Sequence, residues 1–302
     1  MTTHIIESQQ FTREVLEELF AKANGLRKRT SDSLRGNVLA NLFYEPSTRT
    51  RLSFESAMLR MGGSVMGTEN ASVFSSVSKG ESLEDTVRVV GNYADVIVIR
   101  HSEEGAAERA SKVSSVPIIN GGDGKGQHPT QALLDVYTLH REFGHVDNLK
   151  VGMVGDLRAG RTIRSLCYLL TKFDGIEITF ASPENLRIKD DIKEYLKRKN
   201  VKFYETNHLE QVIHTTEAVY MTRIQRERIS EEDYQQAKGK FVIDLTNFHL
   251  LKDSSRILHP LPHVEEIHLP SEIEDHDKKI AYFRQVKNGL YMRMALLKYA
   301  LS

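Results

Sequence analysis

Strand-sized apolar runs recur along the chain, each followed by a stretch whose apolar residues return every three or four positions. The runs N-V-L-A-N-L-F-Y (37–44), D-V-I-V-I-R (95–100), V-P-I-I-N (116–120), K-V-G-M-V-G (150–155), I-E-I-T-F-A (176–181), V-K-F-Y-E (201–205), A-V-Y-M-T (218–222) and K-F-V-I-D-L (240–245) predict strands, with helices between them. Such alternation predicts an α/β fold in which parallel sheets are covered by helices on both faces. A chain of 302 residues exceeds what one hydrophobic core usually serves. Two doubly wound domains linked by long helices are therefore expected, 1–144 and 145–280, divided at the polar connector F-G-H-V-D-N-L-K that follows a helix starting at Pro129. The last helix, 281–302, carries apolar residues on several sides (Phe283, Val286, Leu290, Met294, Leu297) and is expected to be buried, packing back on the first domain. The serine-rich stretch E-N-A-S-V-F-S-S-V-S-K-G-E (69–81) breaks the pattern and reads as a lid, a binding loop or a disordered segment.

One helix start stands out. In Y-E-P-S-T-R-T-R-L-S-F-E-S-A (44–57) a loop turns into an amphipathic helix with apolar positions at Leu52, Phe54, Met58 and Leu59. Its first turn holds Arg49 and Arg51, where the exposed amides already carry partial positive charge and acids are the stabilising choice. Interleaved with the hydroxyls of Ser47, Thr48 and Thr50, these arginines fit a site whose negative charge comes from a bound anion. The plainer alternative is a capped helix whose arginines pair with Glu45 or Glu55.

In open α/β sheets ligands gather beyond the carboxyl ends of the strands. Besides the S-T-R-T-R helix start, those positions hold Arg100 and His101, the loop G-G-D-G-K-G-Q-H-P-T-Q that delivers His128 and Gln131, then Arg161, Arg223 with Gln225, and the turn H-P-L-P from His259 to Pro262. Several arginines and one histidine with few carboxylates beside them suit a substrate bearing several anionic groups.

Composition narrows the classes. Lys+Arg and Asp+Glu balance at 41 each, which argues against a whole-surface attraction to nucleic acid or an anionic membrane, and the 40% hydrophobic, 27% charged content is that of an ordinary globular protein. The one cysteine, Cys167, sits among apolar neighbours and reads as packing. The N-terminus M-T-T-H-I-I-E-S-Q-Q lacks the regions of a signal peptide, so a cytoplasmic location is expected. The histidines form no H-E-x-x-H and a single cysteine excludes C-x-x-C, so no metal and no cofactor are expected. G-M-V-G-D-L-R-A-G has the wrong spacing for a dinucleotide loop. A P-loop-like NTPase is the alternative class, because G-D-L-R-A-G-R-T (155–162) misses the phosphate-loop pattern by one residue and Asp244 resembles a strand-end metal aspartate. Against it, Arg161 replaces the required lysine, and Leu157 and Arg158 put bulk into a loop that should wrap phosphate.

Taken together, F-Y-E-P-S-T-R-T-R-L-S-F-E, S-K-G-E-S-L-E-D-T, Q-H-P-T-Q-A-L-L-D, M-V-G-D-L-R-A-G-R-T, Y-M-T-R-I-Q-R-E-R and H-P-L-P resemble the catalytic chains of the aspartate carbamoyltransferase family, in order from about residue 36 to the C-terminus. Ornithine carbamoyltransferases share S-T-R-T-R and H-P-x-Q and remain the alternative within the family. They usually carry a cysteine before the L-P turn and an S-M-G substrate loop, whereas H-P-L-P and T-R-I-Q here match the aspartate branch.

The resemblance implies transfer of the carbamoyl group of carbamoyl phosphate to the amino group of L-aspartate, an early step of pyrimidine synthesis, with 1–144 binding carbamoyl phosphate and 145–280 binding aspartate. It implies that Ser47, Thr48, Arg49 and Thr50 hold the phosphate together with Arg100, and that Thr50, Arg100 and His128 meet the carbonyl oxygen. Gln131 and the backbone of Leu261, next to Pro262, would take the carbamoyl nitrogen. Arg161 and Arg223, aided by Gln225, would bind the aspartate carboxylates. Ser75 and Lys79 would reach a neighbouring subunit's site, making a homotrimer with shared sites the minimal active unit, and Glu45 would link the domains on closure through Arg161 and Arg228. A regulatory or dihydroorotase partner is compatible with the resemblance. Two positions depart from the family pattern: Ala159, where an aromatic is common, and His263, where an arginine often follows H-P-L-P. The second is expected to make aspartate binding or closure more dependent on pH.

Overall fold

The computed structural model describes residues 2–27, 31–69, 80–226 and 229–302. The chain divides into two compact units, one formed by Met1–Leu134 with Lys287–Ser302 and the other by Asp135–Val286.

In the first unit, strands β1 (Val38–Phe43), β2 (Ser64–Glu69), β3 (Val96–His101) and β4 (Ile118–Asp123) form a parallel sheet in the order β2–β1–β3–β4. Helices α1 (Arg13–Leu26), α2 (Thr48–Arg60), α3 (Leu83–Val90) and α4 (Ala106–Val113) belong to the same unit. The inner strands are buried along most of their length, as expected for parallel strands covered on both faces. Ile5 extends the sheet beyond β4, its N–H donating to Ile118 O at 2.8 Å and its carbonyl accepting from Asn120 N at 2.8 Å. Strand β2 escapes the sequence reading because S-V-M-G-T-E is polar and interrupted by Gly67. A Cβ at Gly67 would lie 2.6 Å from Asn41 O, so the close approach of β2 to β1 requires glycine there.

In the second unit, β5 (Lys150–Val154), β6 (Glu177–Ala181), β7 (Lys202–Thr206), β8 (Ala218–Met221) and β10 (Arg256–Leu258) form a parallel sheet in the order β10–β8–β5–β6–β7, while β9 (Ile243–Asp244) and β11 (Ile267–His268) pair separately. Its core gathers Val154, Val212, Val219, Met221, Ile243, Ile257 and Tyr282. Helix α5 (Pro129–Phe143) begins in the first unit, and α11 (Tyr282–Ala300) ends there. Between them run α6 (Arg161–Leu170), α7 (Asp190–Arg198), α8 (Leu209–Thr215), α9 (Glu231–Ala237) and α10 (Ser271–His276).

Three local expectations change. The run 240–245 yields only the two residues of β9, because Phe241 takes a left-handed φ of 58° and Asn247 turns the chain back, donating to Val242 O at 2.8 Å and accepting from Asp244 N at 3.1 Å. In α11 the buried line is Tyr282, Gln285, Asn288 and Met292, and the helical period turns Phe283 and Val286 outward. In α2, Phe54, Ala57 and Met58 are buried at i, i+3 and i+4, whereas Leu52 and Leu59, seven residues apart on another face, are 48% and 61% exposed.

Candidate active site

Each main sheet reverses its direction of growth at one pair of neighbouring strands, and such switch points leave a crevice beyond the strand ends. In the first unit the pair is β1 and β3, with Phe43 beside Arg100 and Tyr44 N donating to Arg100 O at 2.8 Å. The segments leaving these strands are the S-T-R-T-R helix start and Arg100 itself.

Ser47 occupies the N-cap of α2 in an extended conformation, yet its hydroxyl makes no cap hydrogen bond among the described residues, and the first turn holds no acid. Helix-start amides without a side-chain cap are donors suited to an anion. Thr48 and Arg49 are exposed, while Thr50 is buried and faces His128, Oγ1 to Nε2 at 3.5 Å. The other ring nitrogen, Nδ1, lies 3.3 Å from Thr130 Oγ1. His128, which precedes Pro129 at the first position of α5, is buried, as is Gln131 one turn later. Arg100 donates to Gly121 O at 3.3 Å and pairs with Glu45 at 3.4 Å. One turn into α2, Arg51 pairs with Glu55 at 3.3 Å. At Arg51 the plain reading is met by an acidic partner, and Arg49 lies exposed on the first turn.

In the second unit the switch point lies between β5 and β8, where Val154 pairs with Met221 and Thr222 N donates to Val154 O at 2.8 Å. Gly155 carries a φ of 113°, and a Cβ there would sit 2.1 Å from Thr222 O. Asp156, fully buried, ties the two departing segments together: Oδ1 accepts from Ala159 N at 2.9 Å and Oδ2 from Gln225 N at 3.3 Å. This clamp positions Arg161, buried at the first turn of α6, and the strand-following segment with Arg223 and Gln225, both half-buried.

The H-P-L-P turn follows β10. Leu261 N donates to His259 Nδ1 at 2.8 Å, which requires that nitrogen to be unprotonated, and Nε2 lies 2.8 Å from Glu266 Oε1. His259 is therefore the tautomer with its proton on Nε2, the nitrogen beside Glu266. Leu261 takes a left-handed φ of 53° and is half-buried, while Pro262 is exposed. Burial pushes the Glu266 carboxyl up, but the polar Nε2–H of the neighbouring His259 ring and backbone donors from Glu266 and Val264 outweigh it and hold the group below its usual value.

Comparison with known proteins agrees across the chain. Residues 3–141 match the description "Aspartate/ornithine carbamoyltransferase, carbamoyl-P binding domain", and residues 147–300 match "Aspartate/ornithine carbamoyltransferase, Asp/Orn binding domain". The chain belongs to the aspartate/ornithine carbamoyltransferase family.

Within the family, the chain is similar to aspartate carbamoyltransferase 1, chloroplastic, of Pisum sativum, at 52% identity over 97% of this chain and 77% of that protein. It is 49% identical to the aspartate carbamoyltransferase catalytic subunit of Thermococcus kodakarensis over 96% of this chain and 92% of that one. The solved catalytic subunit of M. jannaschii aspartate transcarbamoylase superposes with a TM-score of 0.90 at 45% identity, covering 99% of this chain and 97% of that chain. The Trypanosoma cruzi enzyme in complex with carbamoyl phosphate and aspartate gives 0.93 at 36% identity, covering 100% and 97%.

Read as a carbamoyltransferase, the first unit brings Ser47, Thr48, Arg49, Thr50, Arg100, His128 and Gln131 to one switch point and its adjoining loop, and the second brings Arg161, Arg223 and Gln225 to another. Ser75, Lys79 and Arg228 lie outside the described residues. Glu45, expected to act on domain closure through Arg161 and Arg228, pairs with Arg100 at 3.4 Å. His263 sits 3.2 Å from Glu274, which also accepts from Tyr282 Oη. Burial and that acceptor push the Tyr282 phenol up.

The phosphate-loop alternative loses its geometry. Leu157 is buried with its N–H on Leu186 O at 3.2 Å, and the Ala159 amide is taken by Asp156, so the 155–162 loop uses internally the donors a phosphate would need. Asp244 accepts from Thr246 N at 2.8 Å and closes a turn. No group of three or more His, Cys, Asp or Glu suited to a metal ion occurs among the described residues, and no described helix is long and apolar enough to cross a membrane. Cys167 is buried with its thiol 3.7 Å from Met153 Sδ, and burial pushes its pKa up, away from a nucleophile's range. Residue-level reading of the sequence misses Asp156, although a signal is present: an acid directly after a strand-end glycine and before a helix start.

Proposed function

We propose that the chain transfers the carbamoyl group of carbamoyl phosphate to the amino group of L-aspartate, giving N-carbamoyl-L-aspartate and phosphate. The observation that carries this reading is the open start of α2, with Thr50 against His128 and Arg100 at the neighbouring strand end. The α2 amides with Ser47, Thr48, Arg49 and Thr50 hold the phosphate, and Arg100 joins them. The aspartate nitrogen attacks the carbamoyl carbon, the carbonyl oxygen gains negative charge, and the bond to the phosphate oxygen then breaks. Thr50, Arg100 and His128 are preorganised donors for that oxygen, stabilising the tetrahedral species more than the ground state. The Thr50–His128 contact is long for a hydrogen bond, as is common before substrate tightens a site. Gln131 and the Leu261 backbone take the carbamoyl nitrogen. The departing phosphate accepts the amine proton, so no separate carboxylate base is needed.

For the acceptor, Arg161 and Arg223 with Gln225 bind the two carboxylates, each guanidinium matching a carboxylate's planar fork. Formation of carbamoyl-aspartate, with ornithine as the control acceptor, tests the function. Product from ornithine and none from aspartate would replace it with the sibling activity.

A homotrimer with shared sites, in the cytoplasm, completes the proposal. The exposed Leu52 and Leu59 support self-association, since an outward apolar stripe favours burial against another surface. Mixing two inactive variants, Lys79→Ala and Arg49→Ala, is expected to restore part of the activity; no recovery after verified subunit exchange would remove the shared site.

A further inference from the structure

A buried polar chain runs through the second unit behind the H-P-L-P turn. Asp135, fully buried in α5, accepts from Tyr220 Oη at 2.7 Å through Oδ2 and from Gln285 Nε2 at 2.6 Å through Oδ1. Gln285, 1% exposed, turns its other end to the turn, Oε1 accepting from His259 N at 2.9 Å. The His259 ring in turn accepts from Leu261 N at 2.8 Å. Each link has a defined polarity: Tyr220 and Gln285 donate to the carboxylate, and the amide of Gln285 donates to Asp135 while it accepts from His259 N.

We propose that Gln285, oriented by Asp135, is a positioning residue that fixes the backbone of the H-P-L-P turn and so aims the Leu261 carbonyl at the carbamoyl nitrogen. This rests on the carbamoyl-transfer reading above. Burial leaves water no easy way to replace a lost partner, so a reversed donor or acceptor in this chain is costly. The carboxylate also sets which way the Gln285 amide faces, since the flipped amide would bring its oxygen against Asp135 and its nitrogen against the His259 N–H.

The test reverses the polarity and then restores it. Gln285→Glu places two carboxylates against each other, and Asp135→Asn either offers Gln285 a donor where it needs an acceptor or, with the new amide flipped, takes from the Tyr220 hydroxyl proton the acceptor that orients this end of the chain. The double variant D135N/Q285E keeps every link. Tyr220 donates to the new amide oxygen at position 135, and the new amide nitrogen donates to one oxygen of the carboxylate introduced at position 285. The other oxygen of that carboxylate accepts from His259 N. Each single variant is expected to lower kcat by roughly five- to hundredfold. Affinity for inorganic phosphate at the α2 start should hold, and the double variant should recover most of the loss. The Gln285→Glu defect should shrink as pH falls, because a shared proton lets the paired carboxyls bond again.

Amide exchange at His259 and Leu261 gives a readout independent of turnover, faster in the single variants and slowed again in the double. No carbamoyl-aspartate from the wild-type chain, with the variants still showing this exchange pattern, would sink the reaction and keep the relay. Single variants with wild-type kcat and exchange would overturn the relay, as would a double variant no better than the worse single or one that fails to fold.

Discussion

After β1 the chain enters α2 through Ser47, whose hydroxyl makes no cap hydrogen bond among the described residues, whereas after β5 it enters α6 through a loop whose Ala159 and Leu157 amides are bonded to Asp156 and Leu186. Both segments leave a parallel strand at its sheet's switch point and open a helix that carries an arginine in its first turn. In the proposed site the first offers backbone donors to an incoming anion, whereas the second spends the Leu157 and Ala159 amides on shape and would leave recognition to side chains. A doubly charged phosphate with several oxygens suits many backbone donors, while two separate carboxylates suit two guanidinium forks held at a set spacing.

This contrast predicts unequal losses. Arg49→Ala should strip the open helix start of its main charge and cut kcat by about a hundredfold or more with unfolding unchanged; a variant with near-normal kcat would leave α2 an ordinary helix. Arg223→Ala should act mainly on binding, raising the aspartate KM by roughly ten- to hundredfold with a smaller change in kcat. A mainly kcat effect would blur the division between the two units. Asp156→Ala should free the Ala159 and Gln225 amides and lower stability by ~1–3 kcal/mol, measured by denaturant unfolding. Loss of phosphate affinity with normal stability would mean that the second loop binds anions through its backbone after all.

The smallest effect concerns acid. Because the Glu266 carboxyl is held below its usual value in the fold, its contribution to stability is fully present above the unfolded carboxylate pKa and fades as pH falls through the folded one. The stability difference between the native chain and Glu266→Gln should therefore shrink on acidification; a constant difference would show that His259 does not lower this group.

The alternation of strand and helix was legible because parallel strands buried on both faces must be apolar almost throughout, as β1, β3 and β5 are. Strand β2 was hidden by its polar residues and Gly67, and β10 by its three-residue length. Lys240–Leu245 reads as a strand by composition, but the backbone turn at Phe241 and the side chain of Asn247 override it. In the candidate site, arginines and hydroxyls at strand ends were readable because their charge is out of place at a helix start. Asp156, Asp135 and Gln285 were not, since their meaning lies in partners 69, 85 and 150 residues away. No local pattern of acids and amides marks such pairings before the chain has folded.

Ile5 lies along β4 and occupies backbone groups that would otherwise form a bare sheet rim. Trimming the first seven residues would uncover that rim and offer it to strands of other molecules, a route to aggregation that leaves every proposed substrate contact in place.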